Sequence, residues 1–304
     1  GIMRTADHIS EISKYSGGMG VHINCLRGAG AKIRGTNGRS SGIVPWLKIY
    51  NEVMKGFNQG GRRPGSAAFY IMPHHPDIMK FIEITRNGGT EEMRARAIFT
   101  SLWIPDIFME RVRDGALWST FDPDTCGDLS DYTGEEYRKK YLELEAKKLY
   151  TSQIPARKIW EACMDTNSDV GRLYVCFADT ANEMFMQKNI GVLKSSNLCS
   201  EVFLYSNADE YAVCILSSIA LPTFVIDGYS EEELKQPEEV RRKLNHEFPV
   251  NPYFDFKKLI EITKLITTNL NLIIDKTFHP LKETKRGSDR HRPIGIGVQG
   301  LDDC

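Results

Sequence analysis

Asn197, Cys199 and Glu201 stand at alternate positions of the segment SSNLCSEVFLY, and Cys214 follows fifteen residues after Cys199. The set combines a hydrogen-bonding amide, a sulfur capable of one-electron chemistry and a carboxylate base. Side chains of an extended segment alternate at period two, so the spacing predicts that all three point to one side. Cys214 lies in EYAVCILSSIAL, which reads as the next strand. A thiol flanked by an amide and an acid, with a second thiol on a neighbouring strand, suits redox chemistry on a polyol. On spacing alone, two core cysteines explain the pattern better, because most buried free cysteines are inert packing residues.

Other chemistries find less support. SGGMG, Ser16 to Gly20, has the consecutive glycines of a backbone nest for phosphate, but a plain tight turn accounts for them better. No GK[ST] follows it, and the GxGxxG spacing fails. QGGRRPG, Gln59 to Gly65, places two arginines between glycine turns, which suits a cationic loop for nucleotide contacts or an exposed solubilising loop. His74, His75 and Asp77 in PHHPD are bracketed by Pro73 and Pro76, and no further Cys/His set completes a metal site, so no metal is expected. No GxSxG elbow is present.

The elements that must position these residues follow from composition and period. The 304 residues are 41% hydrophobic and 26% charged with net charge −1, the balance of a globular protein with a substantial core. That balance argues against a nucleic-acid surface. The longest apolar run, Ala212 to Ile226, is too short for a bilayer span and is broken by Ser217, Ser218 and Pro222; it reads as buried strand and turn. Seven cysteines at irregular spacing fit a reduced, cytoplasmic chain.

Helical periods run through DHISEISKYSGG, IVPWLKIYNEVMKGF with Pro45 in its first turn, HPDIMKFIEITRN with Asp77 in its first turn, and PARKIWEACMDTNSDVG ending near Gly171. FDFKKLIEITKLITTNLNLIID carries Leu259, Ile262, Leu265 and Ile266 on one stripe behind Asp255 as N-cap. GSAAFYIMP, TSLWIP and RLYVCFAD read as strands between these helices. Such alternation predicts an α/β fold with a largely parallel sheet, as an open doubly wound sheet or as a barrel. Both ends read as cut, as in a piece of a longer polypeptide.

NLCSE followed by AVCILSSIAL resembles the active-site region of the large, catalytic subunit of class I ribonucleotide reductases. ISKYSGGMGV, GTNGRSSGIVPWLKIYN, GGRRPGSAAFY, HPDIMKFIE, RARAIF with LWIPDIFM, and RHRPIGIGVQGL resemble further family segments in family order, closest to the eukaryotic and large-DNA-virus branch. The resemblance implies a ten-stranded α/β barrel made of two five-stranded halves, with a central loop carrying a radical cysteine. Residues 1–304 would be about its first half, without the N-terminal ATP-sensing domain and the second half.

It further implies reduction of ribonucleoside diphosphates to 2′-deoxyribonucleotides. Cys199 would carry a thiyl radical that removes the ribose 3′ hydrogen. Glu201 would deprotonate the 3′ hydroxyl, Asn197 would bind the sugar hydroxyls, and Gly17 and Gly18 would approach the substrate. Cys214 would be one of two reducing thiols, its partner lying upstream of Gly1. Lys14 and Arg27, with the loop Arg27 to Gly42, would bind an effector nucleotide (ATP, dATP, dTTP or dGTP) at a homodimer interface. Gln59 and Arg63 would relay effector identity to the substrate base. The radical would come from a metal-containing small subunit and the electrons from thioredoxin or glutaredoxin, with no cofactor in this chain, no nucleic acid and no membrane. GGRRPG is one residue shorter than the eukaryotic loop, and IDKTFHP replaces a more usual Asn-Tyr-Tyr-Pro run. A non-enzymatic nucleotide- or partner-binding homologue and a cobalamin-dependent reductase stay open as alternatives.

Overall fold

A computed structural model describes residues 1–57, 64–226, 228, 232–241 and 253–304. Two compact units divide the chain, Gly1–Asn207 and Ala208–Cys304.

In the first unit, helix α1 (Ile2–Lys14) leads through a turn into strand β1 (Gly18–His22). Helix α2 (Val44–Gly56) precedes strand β2 (Ser66–Ile71). Strands β3 (Phe99–Ile104) and β4 (Leu173–Phe177) complete a four-stranded sheet in the order β1-β2-β3-β4, every pair parallel. Helix α3 (Ala156–Val170) ends at Gly171 in the left-handed region, φ 62°, and returns the chain to β4.

Sequential order matters here. Parallel crossovers share one hand, so consecutive strands in spatial order send their connections back over the same face. A doubly wound sheet would reverse its order at a switch point; this one does not, and its second face is left for something other than crossover helices. The outer face carries Phe69, Ile71, Leu102, Ile104 and Leu173, all buried. Tyr50 of α2 stacks on Phe69 with ring centroids 5.3 Å apart. The inner face carries Gly18, Gly20, Ala68 and Ser101 beside Tyr70, Trp103 and Tyr174; His22, Tyr70, Ser101 and Tyr174 lie in one row across the four strands. Its small residues leave room above the sheet.

Two antiparallel ribbons project from this frame, Ala29–Ile33 with Gly38–Ser41 and Leu117–Thr120 with Ser152–Pro155. The helix expected in HPDIMKFIEITRN is only Ile78–Glu83, and Asp77 is its N-cap residue instead of lying in the first turn. Its buried carboxylate accepts from the amides of Ala29 (2.9 Å) and Ile43 (3.2 Å), pinning both ends of the first ribbon. Those two amides compete with the helix's own N–H groups for the same oxygens.

In the second unit, β5 (Ile215–Ala220) pairs in parallel with β6 (Ile294–Gln299) through six register positions. Helix α4 (Phe256–Lys276) begins as the N-cap reading predicted, Asp255 accepting from the Lys258 amide at 2.9 Å. Leu259, Ile262 and Ile266 pack on Ile219, Leu221 and Phe224, whereas Leu265 is 56% exposed and does not belong to the packed stripe. The run expected to be a buried strand and turn is only partly buried, with Leu216 55% exposed. Among the described residues no helix is long and apolar enough to cross a membrane.

Candidate functional site

The inner face of the first unit's sheet is covered by the segment from Leu193 to Phe203. Asn182 anchors its start: its amide nitrogen donates to the carbonyls of Ala178 and Leu193 (both 2.9 Å), and its oxygen accepts from the Leu193 amide (2.8 Å). Lys194 then pairs with Asp128 at 3.8 Å and with Asp131. The Ser196 carbonyl passes over Gly20, where a built Cβ would fall 1.8 Å from its oxygen. Leu198 lies over Gly18 in the same way, its Cδ2 2.6 Å from a built Cβ. Phe203 reaches the Trp103 ring, centroids 6.3 Å apart.

Asn197, Cys199 and Glu201 are therefore brought together, but not by an extended strand. Residues 198–200 form a turn, with Ser200 at φ 67°. The Asn197 side-chain oxygen accepts from the amides of Glu201 (3.1 Å) and Val202 (3.3 Å), and the Ser196 hydroxyl donates to the Val202 carbonyl at 2.6 Å. An Asn side chain bonding backbone a few residues ahead offers the chain a compact alternative to a ladder. Period two does not apply to such a turn. It presents Cys199 exposed at its crest, with Glu201 exposed just beyond. Both lie close to Tyr174 of β4: burial first, and then the negative charge available to Cys199 and Glu201, raise the Tyr174 phenol above its ordinary value. Tyr174 in turn stacks on Phe99, centroids 5.9 Å apart.

The other expected site residues are placed as follows. Gly17 closes the turn after α1, its amide donating to the Ile12 carbonyl at 3.0 Å. Gly18 is covered by Leu198 and Gly20 by the Ser196 carbonyl, so these two glycines serve the loop's approach, whereas Gly17 faces Ile12. Lys14 pairs with Glu11 at 3.9 Å, and Arg27 with Asp124 at 3.1 Å; Arg27 leads into the ribbon of residues 29–41. Gln59 and Arg63 lie outside the described residues. Cys214 immediately precedes β5 in the second unit and is half-buried.

His74 and His75 are buried structural groups. Asn24 donates from its amide nitrogen to His74 Nε2 (2.7 Å), while its oxygen accepts from the Met72 amide (2.9 Å), which sets the amide's orientation. His74 Nδ1–H then donates to the Tyr137 hydroxyl at 2.9 Å. His75 Nε2–H donates to the Leu26 carbonyl (2.7 Å), and its Nδ1 accepts from the Asp77 amide (3.1 Å). Each ring is neutral by its bonds. No group of three or more His, Cys, Asp or Glu among the described residues could hold a metal.

Burial also lowers His22 to about 4, against Asp128, which favours its charge, and it lowers His74 and His75 in the same direction. The unfolded chain therefore takes up protons at these rings before the folded one does. Their contribution to stability is complete above pH 6.5 and falls as pH drops toward 4. For His22 alone the loss amounts to about 3 kcal/mol. Urea melts of the protein and of His22→Ala between pH 7 and 4 should show a shallower decline in the variant; parallel declines would contradict this.

The structure is an α/β frame whose parallel sheet receives a thiol-bearing turn on its inner face, and a family model described as ribonucleotide reductase, barrel domain, matches residues 1–304. The chain belongs to that family. It is 43% identical over 305 residues to the ribonucleoside-diphosphate reductase large chain of Cryptosporidium parvum, covering all of this chain and 35% of the relative. The large subunits of Variola virus and Caenorhabditis elegans are each 42% identical, again over all of this chain and 36% of their own length. The chain thus spans about a third of the curated relatives it matches. Asn182, Tyr70 and Gly20 were not singled out from the sequence; only the Gly-x-Gly of β1, read as a turn or nest, hinted at a close approach there.

Proposed function

We propose that the complete protein reduces ribonucleoside diphosphates to 2′-deoxyribonucleoside diphosphates for DNA precursor synthesis. The observation that carries this reading is the turn that exposes Cys199 between Asn197 and Glu201 on the inner face of a family barrel domain. Cys199 acts as the thiyl that takes the ribose 3′ hydrogen. Glu201, exposed beside it, accepts the 3′-hydroxyl proton. Asn197 spends its side-chain oxygen on the turn, so its amide nitrogen is the end that meets a sugar hydroxyl.

The reaction exchanges the 2′ hydroxyl for hydrogen and releases water. Two thiols supply the two electrons and become a disulfide, one of them Cys214. A small subunit with a metal centre supplies the oxidising equivalent that makes the Cys199 radical, and thioredoxin or glutaredoxin restores the thiols. Lys14, Arg27, Gln59 and Arg63 serve effector nucleotides (ATP, dATP, dTTP, dGTP) in a homodimer of large subunits, and the setting is cytoplasmic. Effector and substrate then change each other's affinity by the same factor. The test is deoxynucleotide formation by the complete protein with its small subunit, a dithiol and each of the four ribonucleoside diphosphates. Product formation is expected; nucleotide binding without product would favour a non-enzymatic homologue, and dependence on added cobalamin instead of the small subunit would favour the other reductase class.

A further inference from the structure

We propose that Tyr70 is a positioning residue that holds the Cys199 turn in register with the sheet, a role that rests on the reading of Cys199 given above. Tyr70 sits in the middle of the inner face, fully buried on β2. Its hydroxyl donates to the main-chain carbonyl of Asn197 and meets the Ser200 hydroxyl at 2.8 Å, which completes the pair by donating back. These two partners flank Cys199, one on each side of the crest. A single phenol group thus grips the turn at both shoulders across 127 residues of chain.

The Ser196 carbonyl and Leu198 seat the turn on Gly20 and Gly18, and the Tyr70 hydroxyl adds hydrogen bonds on either side of Cys199. The Asn197 side chain and the Ser196 hydroxyl close the turn on itself, and those bonds would survive if the whole turn tilted. Ser200 holds φ 67°, where a non-glycine residue needs its surroundings to keep it. Trp103 packs edge-on against the Tyr70 ring at 6.1 Å and also receives Phe203, so the ring that carries the hydroxyl is itself immobilised. Burial raises the phenol far above its ordinary value, which keeps it a donor. Buried hydroxyls keep such partners because leaving the Asn197 carbonyl unmatched is costly.

The experiment uses the complete protein with its small subunit and the variants Tyr70→Phe and Ser200→Ala. Phe keeps the ring and its packing, and removes only the hydroxyl. Two quantities are read: the rate of Cys199 alkylation by a small maleimide, mapped by mass spectrometry, and kcat and KM for nucleotide reduction. In Tyr70→Phe alkylation should rise by roughly three- to tenfold and kcat should fall by about tenfold or more, with KM nearly unchanged, since small displacements of a reacting group weigh on the chemical step. Ser200→Ala, which loses one of the two contacts, should fall between. Unchanged alkylation and kcat in a Tyr70→Phe protein that melts like the parent would overturn the proposal. Should Tyr70→Phe fail to fold, unchanged alkylation and kcat in Ser200→Ala would overturn it equally. Alkylation needs no turnover, so it reports the grip on the turn even if Cys199 proves not to be catalytic.

Discussion

Cys199→Ser in the complete protein is expected to lose nucleotide reduction by on the order of 10³-fold or more, as removal of a reacting centre does, while melting like the parent. The second half of that expectation comes from the turn. None of the contacts that shape it uses the Cys199 sulfur: the side chains of Asn197 and Ser196 close it, and the Tyr70 hydroxyl holds its shoulders. Cys199 is exposed, and exposed substitutions away from such contacts usually change stability by no more than about 0.5 kcal/mol. Serine is nearly isosteric, so substrate should still bind. The proposed thiyl chemistry has no such tolerance, because an O–H bond is stronger than an S–H bond and a serine hydroxyl could not serve as its one-electron relay. Turnover assays with equilibrium binding of the same diphosphate separate the two effects. Undiminished turnover would remove Cys199 from the mechanism, and a collapse of stability would mean that the sulfur shapes the turn after all.

What the sequence shows of this architecture depends on how local each feature is. Pro45, Gly171 and Asp255 mark helix ends through their own backbone or side-chain chemistry, and the structure places them as those rules require. Strands β2 and β3 announce themselves as short apolar runs because both of their faces are covered. The site is legible in composition and not in shape. An amide, a thiol and an acid at alternate positions attract notice, yet a turn at residues 198–200 and not a shared strand face presents them. The turn is closed by the side chains of Asn197 and Ser196, and its seat on the sheet depends on Tyr70 and Gly20, both far from Cys199 in sequence. Asp77 shows the same limit: its local position marks a helix start, but its carboxylate serves amides more than thirty residues away. The histidines of PHHPD invite a metal in sequence and are instead held neutral by Asn24, Tyr137 and Leu26.

Gly20→Ala should do more damage than its size suggests, and more than Gly18→Ala two residues earlier. Replacing glycine in an extended strand normally helps by about 0.4–1 kcal/mol, through the unfolded chain. At Gly20 the added carbon would lie 1.8 Å from the Ser196 oxygen and 2.8 Å from its carbon, where contacts below 3.0 Å do not occur. Both obstacles are main chain, so no rotamer change relieves them, and the loop must retreat by more than an ångström. Overpacking of this kind costs about 1–3 kcal/mol. The retreat also lifts Asn197 away from Tyr70 and carries Cys199 with it, and a displacement of about 1 Å at a reacting group can cost 10²-fold in rate. At Gly18 the nearest obstacle is the Cδ2 of Leu198, the end of a side chain that can rotate away, and the Leu198 Cβ at 3.3 Å needs to give by only a few tenths of an ångström. Melting temperature should therefore fall slightly in Gly18→Ala and far in Gly20→Ala, and Cys199 alkylation should rise in the same order, with turnover nearly lost in the last. Equal effects of the two substitutions would mean that the loop does not rest on β1 through its backbone, and that the small residues of the inner face have another purpose.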